Sequence, residues 1–163
     1  MSRATPVDGF VFRDACARSA SGVAVATVRA ADGTPHGLTV SSFTPISLDP
    51  PLILIAVDHS VAALPHLRTS NYFAVNVLDE SQRDLSVRFA EQPEGRFDGI
   101  DWQPGTTGAP LLTGVLVTIE CRRWNTVEAG DHMVLFGEVV RASYRDGKPL
   151  IHFLRDYHRL SHS

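Results

Sequence analysis

Leu38-Thr-Val-Ser-Ser-Phe-Thr-Pro-Ile46, a break at Asp49-Pro-Pro51, then Leu52-Ile-Leu-Ile-Ala-Val57: the reading of this stretch decides the fold. The first part mixes β-branched and hydroxyl side chains and reads as an extended segment. Pro50 and Pro51 close it. The second part has no polar alternation, so it reads as a strand buried on both faces. Working outward, Val23-Ala-Val-Ala-Thr-Val28 is rich in β-formers and ends at the turn signal Ala31-Asp-Gly-Thr34. Tyr72 to Leu78 alternates, with Phe73, Val75 and Val77 on one face. Val115–Trp124 and Met133–Tyr144 read as two more strands separated by Asn125–Asp131. A last extended segment near Leu150–Phe153 follows the turn Asp146-Gly-Lys-Pro149.

Helical signals are short. Asp8 is a cap for a helix over about residues 9 to 20, with Phe12, Ala15, Cys16 and Ser19 along one face. Ser60 to Arg68 reads as a short helix that contains Pro65. Asp79-Glu-Ser-Gln82 has the form of a capping box, Gln82 reaching back, ahead of a helix to about residue 89. Residues 91–110 are rich in Gly and Pro and read as a long loop. The sum is a mostly β (α+β) chain, a barrel or sandwich of about seven strands with two or three short helices. No strand–helix alternation supports a doubly wound parallel sheet.

The 163 residues fit a single domain, 1–163, with a core over about 9–160. Hydrophobic residues are 44% and charged residues 20%, as expected of a globular chain. A net charge of −3 argues against a nucleic-acid partner. The longest apolar run, Leu52–Val57, is far too short to cross a membrane. Met1-Ser-Arg-Ala-Thr-Pro6 lacks the apolar core of a signal peptide. The first few residues and Ser161-His-Ser163 read as frayed. Two cysteines, Cys16 and Cys121, exclude a disulfide scaffold and a cysteine-rich zinc site, and point to a reduced, cytoplasmic protein.

The motifs of nucleotide loops, zinc proteases and nucleophile elbows are missing. Seven histidines show no strong metal-ligand spacing; His158 and His162 are four apart, but in the tail. No metal is expected. What remains is small polar groups at strand–loop junctions. Thr39-Val-Ser-Ser-Phe43 is either a half-buried edge strand or a shelf on which hydroxyls and amides hold a flat heterocycle. Asp58-His-Ser60 suits a phosphate, or Ser60 simply caps a helix. In Ser86-Val-Arg-Phe89, Arg88 and Phe89 could hold a phosphate and stack on an adenine, or be a solvated and a buried position of an amphipathic helix. Gly130-Asp-His132 puts His132 on one strand face with Val134, Phe136 and Glu138, pointing into a cleft or capping a turn.

Taken in order, these segments resemble the flavin reductase-like family. The resemblance runs from about Phe12 to Leu160 through Ser21-Gly-Val-Ala-Val-Ala-Thr27, Gly37 to Leu52, Leu67 to Leu78, Arg88-Phe-Ala90, Gly108-Ala-Pro-Leu-Leu112, Gly130-Asp-His132 and Gly137-Glu-Val139. Ser41-Ser-Phe-Thr-Pro-Ile-Ser-Leu-Asp-Pro-Pro-Leu52 is its most specific part. The resemblance implies a split β-barrel, usually a homodimer, that binds FMN or FAD and takes electrons from NADH or NADPH. It implies that Thr39, Val40, Ser41 and Ser42 line the flavin and that Ala56, Val57 and Ser60 sit close to the flavin and its phosphate. Arg88 and Phe89 would contact the phosphate or adenylate end, and His132 would position the nicotinamide. It also implies a flavin-dependent monooxygenase as partner for the reduced flavin. Two departures stand out: Ser41 replaces a frequent Asn, and Asp58–Ala63 lacks the frequent Ser-x-Thr. Three other readings stay open: a non-catalytic flavin-binding barrel, a split-barrel oxidase or monooxygenase acting on an organic substrate, and a protein that works mainly as an interaction partner of an oxygenase.

Overall fold

The computed structural model describes residues 4–161; the expected fraying at residues 1–3 and 162–163, and the spacing of His158 to His162, fall outside them. The elements in chain order are α1 (Gly9–Cys16), β1 (Ser21–Gly22), β2 (Ala24–Arg29), β3 (Pro35–Val40), β4 (Thr44–Leu48), β5 (Pro51–Asp58), α2 (Leu64–Thr69) and β6 (Tyr72–Val77). Then come α3 (Arg83–Glu91), β7 (Trp102–Pro104), β8 (Pro110–Leu112), β9 (Val117–Ala129), β10 (His132–Tyr144), β11 (Ile151–Phe153) and β12 (Asp156–His158). Seven strands form one antiparallel sheet in the order β3-β2-β6-β9-β10-β5-β4. Strands β3 and β4 sit at opposite edges of that order, yet only Ser41–Phe43 separate them in the chain. The sheet therefore curls until its two ends meet, which makes it a barrel.

The barrel interior is filled from both ends of the sheet. Val28, Leu38 and Val40 meet Ile53, Ile55, Val57, Phe73, Val75, Met133 and Leu135. Gly137 makes this possible on β10, because a Cβ there would stand 2.5 Å from the Phe73 ring and 2.7 Å from Cys121 Cβ. A second core lies outside the barrel wall, where Val23, Val25, Leu78, Phe89, Leu112, Val115 and Leu150 pack together. Strand β2 is shared by both cores, which explains its unbroken burial from Ala24 to Val28. Buried Asn76 ties the two layers: its amide donates to Val25 O at 3.1 Å and accepts from Leu112 N at 2.9 Å.

Five expectations need correction. Strand β5 is buried on one face only: Ile53, Ile55 and Val57 point inward, while Leu52, Leu54 and Ala56 are half-buried. Leu38–Ile46 is not one segment, because the chain bends at Ser41–Phe43 between β3 and β4. Asn125–Ala129 belongs to β9, so β9 and β10 form one long hairpin around Gly130-Asp131, with Gly130 at φ 64°. Helix α1 ends at Cys16 and buries none of its side chains, Phe12 included. The 91–110 loop carries the short β7–β8 pair. Asp8 does cap α1, accepting from Phe10 N at 2.8 Å. Gln82 does reach back to Asp79 N at 2.9 Å, although α3 starts only at Arg83.

Candidate active site

Strand β3 is an edge, and its register shows which of its polar groups are free. Ala30 N bonds Thr34 O at 2.9 Å in the β2–β3 turn, so these residues form a hydrogen-bonded pair. Pair types alternate along an antiparallel ladder. The Thr27–Gly37 and Val25–Thr39 pairs are then of the other type, their β3 amides facing away from β2. Arg96 Nη1 confirms the direction by donating to Gly37 O at 2.7 Å. The Thr39 N–H and C=O face the same way, and no other element among the described residues bonds them. Beside them lies a hollow of about 190 Å³ lined by Val23, Thr39, Ser41, Ala90, His152 and Tyr157.

The walls of this hollow are fixed by a chain of bonds. Thr39 Oγ1 donates to Ser86 O at 2.6 Å, and the buried Ser86 hydroxyl meets Tyr157 Oη at 2.8 Å. Arg83 lies over the Tyr157 ring at 5.4 Å, and His152 meets that ring edge-on at 5.8 Å. His152 and Tyr157 are site residues that sequence reasoning missed. They come from β11 and β12, more than a hundred residues after Thr39, and only the packing of that hairpin on α3 brings them there.

The bend after β3 leads to β5. Ser42 stands opposite Ala56, where a ladder partner would be. Its hydroxyl accepts from Ala56 N at 2.9 Å and donates to Ala56 O at 3.1 Å. Ser42 is thus a clamp, its hydroxyl already committed. Phe43 packs against the barrel core and holds the bend from the inside. Two residues beyond Ala56, Asp58 faces His132 across the β5–β10 ladder. His59 N bonds Asp131 O at 3.0 Å, which makes Asp58–His132 a pair of the closely approaching type.

A polar network surrounds this mouth. His132 Nδ1 lies 2.7 Å from Asp131 Oδ1, leaving Nε2 toward solvent. Asp58 Oδ1 accepts from Ser60 Oγ and Ser60 N, both at 2.7 Å, and these bonds hold its carboxyl below the usual range. Ser60 therefore closes a turn and does not cap α2, whose N-cap is Ala63. Glu128 binds Arg68 at 2.5 Å and His59 at 2.7 Å, tying α2 to the hairpin; the Arg68 bond foremost lowers its pKa. Asp131 is lowered first by its bond to His132.

Not every expected residue reaches this strip. The structure brings together Thr39, Ser41, Ser42, Ala56, Ser60 and His132. The side chains of Val40 and Val57 lie in the barrel core, and the register turns their backbone N–H and C=O groups to Ala24 and Met133, so neither offers a hydrogen bond to a ligand. Phe89 is fully buried in the second core, edge-on to Phe97, and cannot stack on an adenine. Arg88 Nη2 donates to Gly95 O and Asp98 O, away from the strip. No group of three or more metal-ligating side chains occurs among the described residues.

Residues 16–161 match the flavin reductase like domain. The chain belongs to that family. This flavin reductase-like protein is 42% identical over 139 residues to the FMN reductase (NADH) SmoA of Agrobacterium fabrum, covering 85% of this chain and 79% of the relative. It is 34% identical over 154 residues to the reductase subunit HsaB of a flavin-dependent monooxygenase from Mycobacterium tuberculosis, covering 93% and 82%. Two further relatives are longer, and the chain spans 42% and 60% of them. Among solved structures, the Streptomyces globisporus NADH:FAD oxidoreductase SgcE6, in complex with NAD and FAD fragments, superposes with a TM-score of 0.89. The sequence identity is 33%, covering 97% of this chain and 98% of that one. No helix among the described residues is long and apolar enough to cross a membrane.

Proposed function

We propose that this protein is an NAD(P)H-dependent flavin reductase that reduces FMN or FAD and supplies the product to a separate monooxygenase. The carrying observation is the free donor–acceptor pair on the backbone of Thr39, a residue that also lines a hollow with an aromatic wall. The pyrimidine edge of a flavin offers the matching acceptors and donor. The two bound groups supply the chemistry themselves, hydride passing from nicotinamide C4 to flavin N5.

The chain's own part is to bind and orient. The Thr39 backbone holds the ring edge. The Ser42 clamp on Ala56 fixes the bend that would lie beside that ring. His132, fixed through Nδ1 by Asp131, presents Nε2 at the β5–β10 mouth and orients the second ring as it arrives. No strong acid, base or nucleophile is required of the site. The HsaB name supports the monooxygenase as partner.

The β5–β10 outer face supports a homodimer as part of this reading. Leu54, Ala56, Val134 and Phe136 are neighbours on it and only half-buried, and Trp124 and Val140 beside them are exposed. A second copy would cover that face. The free thiols of Cys16 and Cys121 support a reducing compartment, and we place the protein in the cytoplasm as one domain over about residues 9–160. The test is anaerobic oxidation of NADH and NADPH with FMN, FAD or riboflavin. Bleaching of added flavin is expected. Flavin binding without bleaching for any pair would leave a binding protein instead.

A further inference from the structure

A groove of about 370 Å³ lies on the outer face of β9. Its floor is Thr118 and Glu120, one wall is β8 with residues 113–115, and the other is Arg141 and Ser143 of β10. The register builds it. Thr118 and Glu120 alternate with Ile119 and Cys121, whose side chains lie in the barrel core, so they point outward. Across the β9–β10 ladder Glu120 stands opposite Arg141, and Thr118 opposite Ser143. Strand β10 pairs with β5 only as far as Glu138, so the groove lies beyond that ladder. It shares no residue with the hollow at Thr39 or the mouth at His132.

Glu120 is the buried charge of this groove, only 2% exposed. Its Oε2 accepts from Thr107 N and Thr107 Oγ1, both at 2.7 Å. No donor among the described residues reaches its Oε1. The loop above is tight, since a Cβ on Gly105 would stand 2.6 Å from Glu120 Oε2. Arg141 is exposed and makes no ion pair among the described residues. The neighbouring cations are already engaged: Arg122 Nε donates to Glu138 at 2.9 Å, and Arg145 meets Asp79 at 2.9 Å. The side chains of Gln103, Thr118 and Ser143 line the groove and hydrogen-bond to none of the described residues.

A carboxylate withdrawn from water with one oxygen unpaired calls for a cationic donor. The cross-strand Arg141 is the nearest candidate in register, and opposite charges so placed ordinarily gain from contact. Here they face one hollow and stay apart. A ligand that carries both an ammonium and a carboxylate completes such a pair, the carboxylate matching the guanidinium fork. Leu111, Leu112 and Val115 add an apolar wall, and the volume lies at the lower end of the roughly 300–1,000 Å³ of small-molecule sites. We propose that this groove binds a free α-amino acid with an aliphatic side chain, Glu120 taking the ammonium and Arg141 the carboxylate. The proposal does not rest on the flavin reductase reading.

The test is titration calorimetry of the full chain at two temperatures with three probes of one apolar body. L-Leucine carries both charges, 3-methylbutylamine only the ammonium, and 4-methylpentanoate only the carboxylate. The wild type is expected to bind leucine about tenfold more tightly than either of the others. Glu120→Gln keeps the shape and an oxygen for Thr107 but turns an amide NH2 to the groove. It should weaken leucine and the amine about tenfold and leave 4-methylpentanoate unchanged. Arg141→Gln changes an exposed side chain without an ion-pair partner, so it decides the matter where Glu120→Gln fails to fold. It should bring leucine down to the level of the amine and leave the amine unchanged. No leucine binding by the wild type up to about 10 mM overturns the proposal, the groove then being filled by water or by Arg141 itself. Leucine bound no more tightly than the amine, or equally by the wild type and either folded variant, overturns it as well.

Discussion

Ser42→Ala separates two roles for one hydroxyl. In the structure that hydroxyl accepts from Ala56 N at 2.9 Å and donates to Ala56 O at 3.1 Å, joining the two ends of the barrel sheet. Removing it leaves both backbone groups of Ala56 without a partner in a half-buried place. The cost is about 1–2 kcal/mol, the range for neutral hydrogen bonds with partial access to water. For a chain of this length that is a fall in Tm of about 2–8 °C. The assay is thermal unfolding by circular dichroism, without flavin and at matched protein concentration, since dimerisation would make Tm depend on concentration. Ser42→Thr keeps the hydroxyl and should recover part of the loss. Riboflavin titration of the same proteins should show a weaker ring site, because the bend beside it has lost its tie. If Ser42→Ala melts within a degree of the wild type while riboflavin binding still weakens, the hydroxyl serves the ligand directly and the clamp argument is wrong.

Two further outcomes follow from the titratable groups. Burial, with the charge of Glu120 beside it, pushes the Cys121 thiol up to about 12, so a disulfide reagent at mildly alkaline pH should label exposed Cys16 alone until the chain is unfolded; two fast thiols in the native protein would contradict this. Burial and the facing His66 hold His36 below the ordinary imidazole value of 6.5, so the unfolded chain takes up the proton first and stability rises with pH. Tm should therefore fall as pH drops from about 7.5 to 5.5, less steeply in His66→Gln, and an unchanged slope in that variant would remove the stacked pair as the cause.

Legibility in the sequence differed by element. The strands β2 and β6 and the turn at Ala31–Thr34 could be read directly, because β-branched runs and Asp-Gly carry their own local signal. The bend at Ser41–Phe43 could not. A serine that substitutes for a ladder partner looks, in sequence, like any hydroxyl on an edge strand. In strand β5 the sequence suggests more burial than one chain provides, since an apolar run shows only that both faces avoid water, not that this chain covers both. The far arm of the β9–β10 hairpin, Asn125 to Ala129, is polar because it is solvated on both sides, and such polarity looks like a loop in sequence. At the site, Thr39, Ser41 and His132 follow from the order of motifs. Arg96, His152 and Tyr157 do not, because each acquires its place only when a distant loop or hairpin packs against β3.

The open edge of β3 has a length as well as a chemistry. Pro35 has no N–H to offer, Arg96 covers the Gly37 carbonyl, and the chain turns away at Ser41. Thr39 is then the one residue of β3 whose outward donor and acceptor are both free, the Gly37 N–H beside it being a lone donor. A foreign strand needs several such pairs in a row to dock and spread, whereas one heterocycle needs only this one. The same truncation that tailors the edge to a small ring thus denies it to another polypeptide, and protects a ligand-free barrel from joining its neighbours edge to edge.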